Sequence, residues 1–219
     1  MSTPVRNWLR KKLIETIPVG TIWSDKDTKE KHPFQDLTGM THKGLLKKWY
    51  ELDSDEKIIE NTFGTDPKFT TCSSFLPIMA SKIRIAGGMP TTKHNNYTGK
   101  EDPIGLRGFQ LHTERGWTPA FLGYAVNGGP KEGDFFQLVS KSGMTEHVGI
   151  ILTIKGDLWS AVAGGAGGRG SRHDGVSRSI LKPRPQNLMG WIDIDAYFQG
   201  WNGPDVGEVV DSGQTNAAY

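Results

Sequence analysis

The sequence predicts a single α+β domain in which helices come first and an antiparallel sheet follows. Apolar residues recur at helical spacing in the first 90 residues, and an alternation typical of strands begins after Gly133. The 28 glycines and the 10% aromatic content suit a loop-rich α+β protein better than a helical bundle. At 219 residues we expect one domain over 1–201, with an N-terminal helical extension over about 1–62 and a flexible tail over 202–219.

The composition excludes several classes of protein. Hydrophobic residues make up 36% of the chain without any apolar run long enough to span a membrane, so we expect a packed core and no membrane span. The net charge is only +2, which argues against nucleic acid as a partner. The single cysteine, Cys72, excludes an internal disulfide and a cysteine-based zinc cluster.

The first predicted helices are amphipathic. Val5–Thr16 has apolar residues at helical spacing and ends before Pro18, and we expect its charged face to be solvated. Two further helices are predicted over Lys43–Leu52 and Asp53–Asn61, the second of which opens with a capping-box pattern.

Cys72–Ala86 reads as a buried helix that ends at a pair of glycines. Pro77 leaves two positions open for its start. A helix that begins at Cys72 would be kinked by Pro77, whereas an N-cap at Ser74 would put Pro77 in the tolerated first turn and leave the thiol just before the helix.

The second half of the chain has the alternation of a short antiparallel meander. Its strands are predicted over Asp134–Val139, Glu146–Ile154 and Leu158–Ala163, with a turn at Lys155-Gly156. A glycine-rich stretch over Gly164–Gly170 leads to a strand at Val176–Leu181 and a last apolar segment at Trp191–Phe198.

Cys72 and His147 are the candidate catalytic residues. A thiol near a helix start, with a histidine on a strand well downstream, is the arrangement that activates a cysteine as a nucleophile, because the helix terminus and an imidazolium both favour the thiolate. Alternation puts His147 and Gly149 on one face of their strand and Val148 on the other. A lone cysteine in an apolar helix is otherwise a small buried hydrophobic residue.

Four short segments resemble the NlpC/P60 peptidases and the related CHAP amidases, which are papain-like cell-wall enzymes. They lie at Thr71–Phe75, Gly133–Phe136, His147–Leu152 and Trp159–Ala161, and the resemblance covers roughly 68–165. It implies a papain-like fold with N-terminal helices packed on an antiparallel sheet. It also implies Cys72 as nucleophile, His147 as general base and acid, and cleavage of an amide in peptidoglycan, with no cofactor and no metal.

The chain departs from the family pattern at the residue that orients the imidazole. With the turn at Lys155-Gly156, Ser160 pairs with Ile151, about 13 Å from His147 at 3.3 Å per residue. Either the hairpin bulges, or a backbone carbonyl orients the ring, or Asp174 does so, or a Cys/His dyad acts alone. For the oxyanion site we expect the backbone N–H of Cys72, alone or with that of Ser73 or another side chain.

The N-terminal residues contain no secretory h-region, because Arg6, Arg10 and Lys11 interrupt their apolar residues. We therefore expect synthesis in a cytoplasm and export by a contact-dependent system such as type VI secretion to a target periplasm, with a cognate immunity protein as partner. A phage lysin is the alternative context. The alternative functions are a thiol-dependent deamidase or acyltransferase acting on host proteins, and a catalytically inactive binding module.

Other motifs are weaker. Gly165–Gly170 matches a dinucleotide-binding glycine pattern, but no helical pattern follows it and no βαβ unit surrounds it. The remaining histidines lack the spacing of a metal site, and no serine-hydrolase elbow is present in the sequence. A basic cluster from Arg169 to Arg184 favours solvated charge, with attraction of an anionic polymer as the alternative.

Overall fold

The computed structural model describes residues 2–17, 19, 72–90, 121–123, 128–142, 145–166 and 175–212. The helices predicted at Lys43–Leu52 and Asp53–Asn61 lie outside these residues, as do Asp174 and every histidine except His147. No helix in the described ranges is long and apolar enough to cross a membrane.

The described residues form an α+β structure built on one antiparallel sheet. The helices are α1 (Pro4–Thr16), α2 (Cys72–Ala86) and α3 (Ile194–Tyr197). The strands are β1 (Phe121–Gly123), β2 (Phe135–Val139), β3 (Thr145–Lys155), β4 (Leu158–Ala166), β5 (Gly175–Arg178), β6 (Lys182–Pro183) and β7 (Leu188–Ile192). Their order is β1-β7-β2-β3-β4-β5, with β6 paired to β4 outside this path.

The predicted helices that fall on described residues are confirmed, and the open question about α2 is answered. The helix begins at Cys72 and continues past Pro77, so the start after an N-cap at Ser74 is not adopted. The apolar side chains of α2 hold it on the sheet, since Phe75, Leu76 and Met79 are fully buried in the cluster that α2 shares with β3. The sequence predicted the bounds of α2 correctly because its apolar pattern stops at the two glycines that follow.

The hairpin between β3 and β4 has a different register from the one predicted. Lys155 pairs with Leu158, so the turn residues are Gly156 and Asp157, and Gly156 adopts a φ of 58°. A left-handed residue at the first turn position suits the twist of a two-residue hairpin and is easiest for glycine. The predicted turn at Lys155-Gly156 was therefore wrong by one residue, and the strands extend further on both sides.

The two faces of the sheet carry two separate hydrophobic clusters. The first face packs against α1 and α2, and its cluster includes Val148, Ile150 and Leu152 of β3 together with Cys72. The second face carries an aromatic cluster of Phe136, Ile151, Trp159, Leu188 and Trp191.

The charged face predicted for α1 is solvated at Lys11, Lys12 and Glu15 but not at its two arginines. Arg6 and Arg10 are both buried, with 3% and 4% of their surface exposed. Arg10 donates to the carbonyl of Leu152 at 2.8 Å and lies 2.6 Å from the carboxylate of Glu132, which in turn accepts the N–H of Ile154 at 2.8 Å. The side chains of Arg10 and Glu132 therefore hydrogen-bond to backbone groups of β3 in the part of this strand that extends past β2. In this way α1 closes the end of the sheet.

The segment after α3 has no helix or strand as far as residue 212 but is anchored to the sheet through Asp211. The Asp211 carboxylate accepts a short hydrogen bond from Arg178 and another from Thr153 at 2.8 Å. Arg178 also donates to the carbonyl of Ile17 at 2.9 Å, at the end of α1. The expected tail over 202–219 is therefore held in place at least as far as Asp211.

Candidate active site

Cys72 is the first residue of α2, and 7% of its surface is exposed. The backbone N–H groups of Cys72 and Ser73 lie in the first turn of the helix, at the positive end of its dipole. These N–H groups and the helix dipole favour negative charge at the start of α2. A thiolate, or the oxyanion of a tetrahedral intermediate, is therefore chemically suited to this position.

The last turn of α2 is attached to the segment that follows α3. The indole N–H of Trp201 donates to the carbonyl of Ile83 at 2.8 Å, and the Trp201 ring lies 6.2 Å from that of Trp8 in α1. The helix itself packs on β3 and β4.

His147 lies on the second face of the sheet. Its β2 partner is Leu138, and its ring lies 6.2 Å from the ring of Phe136, which belongs to the aromatic cluster. Val148, the next residue, lies in the first cluster with Cys72. The structure therefore places the His147 side chain and the helix that carries Cys72 on opposite faces of the sheet.

The surroundings of His147 keep its imidazole neutral. Burial lowers the pKa of His147 from 6.5 to about 4, and the positive charge of Lys182 contributes to this decrease in the same direction. A neutral imidazole at neutral pH can accept a proton, which is the state required of a general base. The low pKa also makes it a weak base, so a nearby negative charge such as a thiolate would have to favour its protonated form.

Gly149 makes room for an aromatic ring rather than for the imidazole. A Cβ atom at Gly149 would lie 2.7 Å from the Phe136 ring and 2.9 Å from the carbonyl oxygen of Val162. The sequence predicted that Gly149 would leave room beside His147. In the structure the space is occupied by Phe136, which then packs 5.1 Å from Trp159.

Ser160 is too far along the sheet to orient His147. It pairs with Thr153 rather than with Ile151, because the turn is at Gly156-Asp157 and not at Lys155-Gly156. Thr153 lies six residues beyond His147, or roughly 20 Å at 3.3 Å per residue. The Ser160 hydroxyl is fully buried and has no hydrogen-bond partner among the described residues.

Two residues shape the environment of His147, the aromatic Phe136 and the charged Lys182. Neither was singled out as a site residue from the sequence. The alternation of β2 is the only signal that could have placed Phe136 near His147, and nothing local marks Lys182. No group of three or more histidine, cysteine, aspartate or glutamate side chains in the described part of the chain is arranged to hold a metal ion.

Comparison with known proteins assigns neither a family nor a function to this chain. No protein-family model, no curated protein and no solved structure matches this chain.

Proposed function

We propose that this protein is a thiol-dependent hydrolase that cleaves amide bonds in peptidoglycan peptides, with Cys72 as the nucleophile. The observation that carries the proposal is the position of Cys72 as the first residue of a helix packed on an antiparallel sheet. Its further support is the order of sequence segments that resemble the NlpC/P60 and CHAP enzymes, which form α2, the start of β2, β3 and the centre of β4.

The proposed reaction uses two steps that conserve atoms and charge. The neutral His147 imidazole takes the proton of the Cys72 thiol as the sulfur attacks the amide carbonyl and a carbon–sulfur bond forms, and the resulting imidazolium gives this proton to the amine as the carbon–nitrogen bond breaks. Water then attacks the thioester while the imidazole takes one of its protons, and that proton passes to the leaving sulfur, so that the carboxylic acid is released and the thiol and the neutral imidazole are restored. The backbone N–H groups at the start of α2 stabilise the oxyanion of each tetrahedral intermediate.

The role proposed for His147 requires its imidazole to reach Cys72 from the opposite face of the sheet. The arrangement in the structure, with the two side chains on opposite faces, is the observation that favours the second candidate, a catalytically inactive binding module. The two candidates make opposite predictions about the reactivity of Cys72.

The decisive experiment compares purified wild-type protein with Cys72→Ser, His147→Ala and, as a control, Lys155→Ala in the exposed hairpin. Each is incubated with purified sacculi, and the released muropeptides are analysed by mass spectrometry. We expect new amine termini with wild type and Lys155→Ala, and a loss of at least about 1,000-fold with Cys72→Ser and His147→Ala. Sacculi left intact by correctly folded wild type would contradict peptidoglycan cleavage.

Alkylation by iodoacetamide at pH 6 separates the two candidates independently of the substrate. Rapid labelling of Cys72 in folded wild type, slowed in His147→Ala and unchanged in Lys155→Ala, is expected of the hydrolase. Labelling only after denaturation would identify a buried structural thiol and support the binding module. Rapid labelling combined with intact sacculi would instead favour a deamidase or acyltransferase that acts on proteins.

A further inference from the structure

The Ser160 hydroxyl lies in a polar part of the first face of the sheet. Ser160 pairs with Thr153 of β3, so the two side chains share a face. The Thr153 hydroxyl donates to the Asp211 carboxylate at 2.8 Å, and the Arg178 guanidinium donates to the other oxygen of that carboxylate. These four side chains, which we call the Ser160 cluster, are all buried, with at most 6% of their surface exposed.

Two polar atoms of the Ser160 cluster have no hydrogen-bond partner among the described residues, the hydroxyl oxygen of Ser160 and Nε of Arg178. The other two nitrogen atoms of Arg178 are used, since Nη1 donates to the carbonyl oxygens of Ile14 and Ile17 and Nη2 donates to Asp211. A buried donor that gains no partner on folding destabilises the folded state. Such groups are therefore usually bonded to ordered water.

The two atoms are close enough to share one small molecule. Val162, two residues after Ser160 on the same face of β4, pairs with Arg178. Ser160 and Arg178 are therefore diagonal neighbours, which in an antiparallel sheet lie roughly 7–8 Å apart. A molecule that makes one hydrogen bond to each side spans about 5–6 Å. Since both side chains extend away from the backbone, a molecule of the size of water can bridge them.

The charges and donors of the Ser160 cluster determine which kind of molecule fits. The positive charge of Arg178 is already balanced by Asp211, so a further anion would leave an excess of buried negative charge. The Nε–H of Arg178 can only donate, the Asp211 carboxylate can only accept, and the Ser160 hydroxyl can do either. The molecule must therefore be neutral and must both accept and donate, as water does.

We infer that the Ser160 cluster binds one ordered water molecule, which accepts a hydrogen bond from Nε of Arg178 and bridges to the Ser160 hydroxyl and the Asp211 carboxylate. This water joins the centre of β4 to the ion pair that anchors the segment after α3 and the end of α1. Ser160 lies in one of the segments that resemble the cell-wall enzymes, but its hydroxyl binds a structural water and no imidazole. The inference does not depend on the proposed catalytic function.

NMR of protein labelled with 15N-arginine tests the water site directly. We expect the Nε–H of Arg178, assigned through its side-chain carbons, to show a nuclear Overhauser effect to water with the sign of a bound molecule. The effect should be lost in Ser160→Val, where a methyl group replaces the hydroxyl, and kept in the control Ser142→Ala in the exposed turn after β2. An Nε–H that shows no such effect in folded wild type would overturn the inference.

Urea denaturation of Ser160→Ala gives an independent test. Because the variant loses a hydrogen bond to the water, its unfolding equilibrium constant should rise by about three- to tenfold, while that of Ser142→Ala should change by less than about twofold. A Ser160→Ala protein at least as stable as wild type would contradict the water site. If sodium formate stabilises wild type but not Ser160→Ala, the cluster binds an anion and the assignment to water is wrong.

Discussion

The two faces of the sheet bury ionisable groups in different ways. At the edge of the first face, the buried guanidinium of Arg178 has the carboxylate of Asp211 as its counter-charge. On the second face, the imidazole of His147 lies beside the aromatic cluster, and the charge that affects its pKa is the like charge of Lys182. The first environment keeps charges fixed and structural, whereas the second keeps a group uncharged and able to accept a proton.

The largest effect should come from breaking the charge pair on the first face. In Asp211→Ala the Arg178 guanidinium stays buried without its counter-charge, and the hydroxyl of Thr153 loses its acceptor. We expect a loss of about 3–5 kcal/mol in the free energy of unfolding, measured by urea denaturation at pH 7.

Glu208→Ala is the matched control for Asp211→Ala, because Glu208 is an exposed acid of the same segment. It should change the free energy of unfolding by no more than about 0.5 kcal/mol. If Asp211→Ala changes the free energy of unfolding equally little, the segment after α3 is not anchored by this pair. The contrast between the two faces would then not hold for the first face.

The second prediction tests the other half of the comparison. Because the pKa of His147 is lowered to about 4 in the folded protein, the folded state binds fewer protons than the unfolded state between about pH 4 and 6.5. Stability from this group is present above 6.5 and is lost as the pH falls through that window, by up to about 3 kcal/mol.

His147→Gln removes the titration while keeping a polar side chain of similar reach. The free energy of unfolding of wild type, relative to His147→Gln, should therefore fall between pH 7 and pH 4. A difference that stays constant over this range would show that the imidazole is solvated rather than buried beside the rings.

The sequence predicted the secondary structure around the site better than its geometry. The apolar pattern of α2 and the alternation of β3 are local properties, and both elements were found where they were expected. The alternation alone was also enough to put His147 and Val148 on different faces. It did not reveal that the helix carrying Cys72 covers the Val148 face, because the choice of face depends on all the apolar side chains of the sheet.

The parts that could not be predicted depend on contacts distant in sequence or on very short elements. Arg6 and Arg10 read as solvated charges of an amphipathic helix, because their carboxylate partners lie more than 120 residues away. The strands β1 and β6 have three and two residues, too few for a period to be visible. The turn at Gly156-Asp157, one residue from the predicted position, moved Ser160 away from His147, and the register shift between Ile151 and Thr153 has no mark in the local sequence.

The smallest predicted effect concerns the like charge near His147. Lys182 is exposed, so water screens its charge, and its influence on the imidazole is second to that of burial. Lys182→Ala should raise the pKa of His147 slightly, measured by NMR titration of the ring protons, while Lys155→Ala at the exposed hairpin should leave it unchanged. The increase should shrink as salt is added, because screening already weakens the repulsion in wild type. If Lys182→Ala leaves the pKa of His147 unchanged, the charge of Lys182 does not act on the ring and the low pKa comes from burial alone.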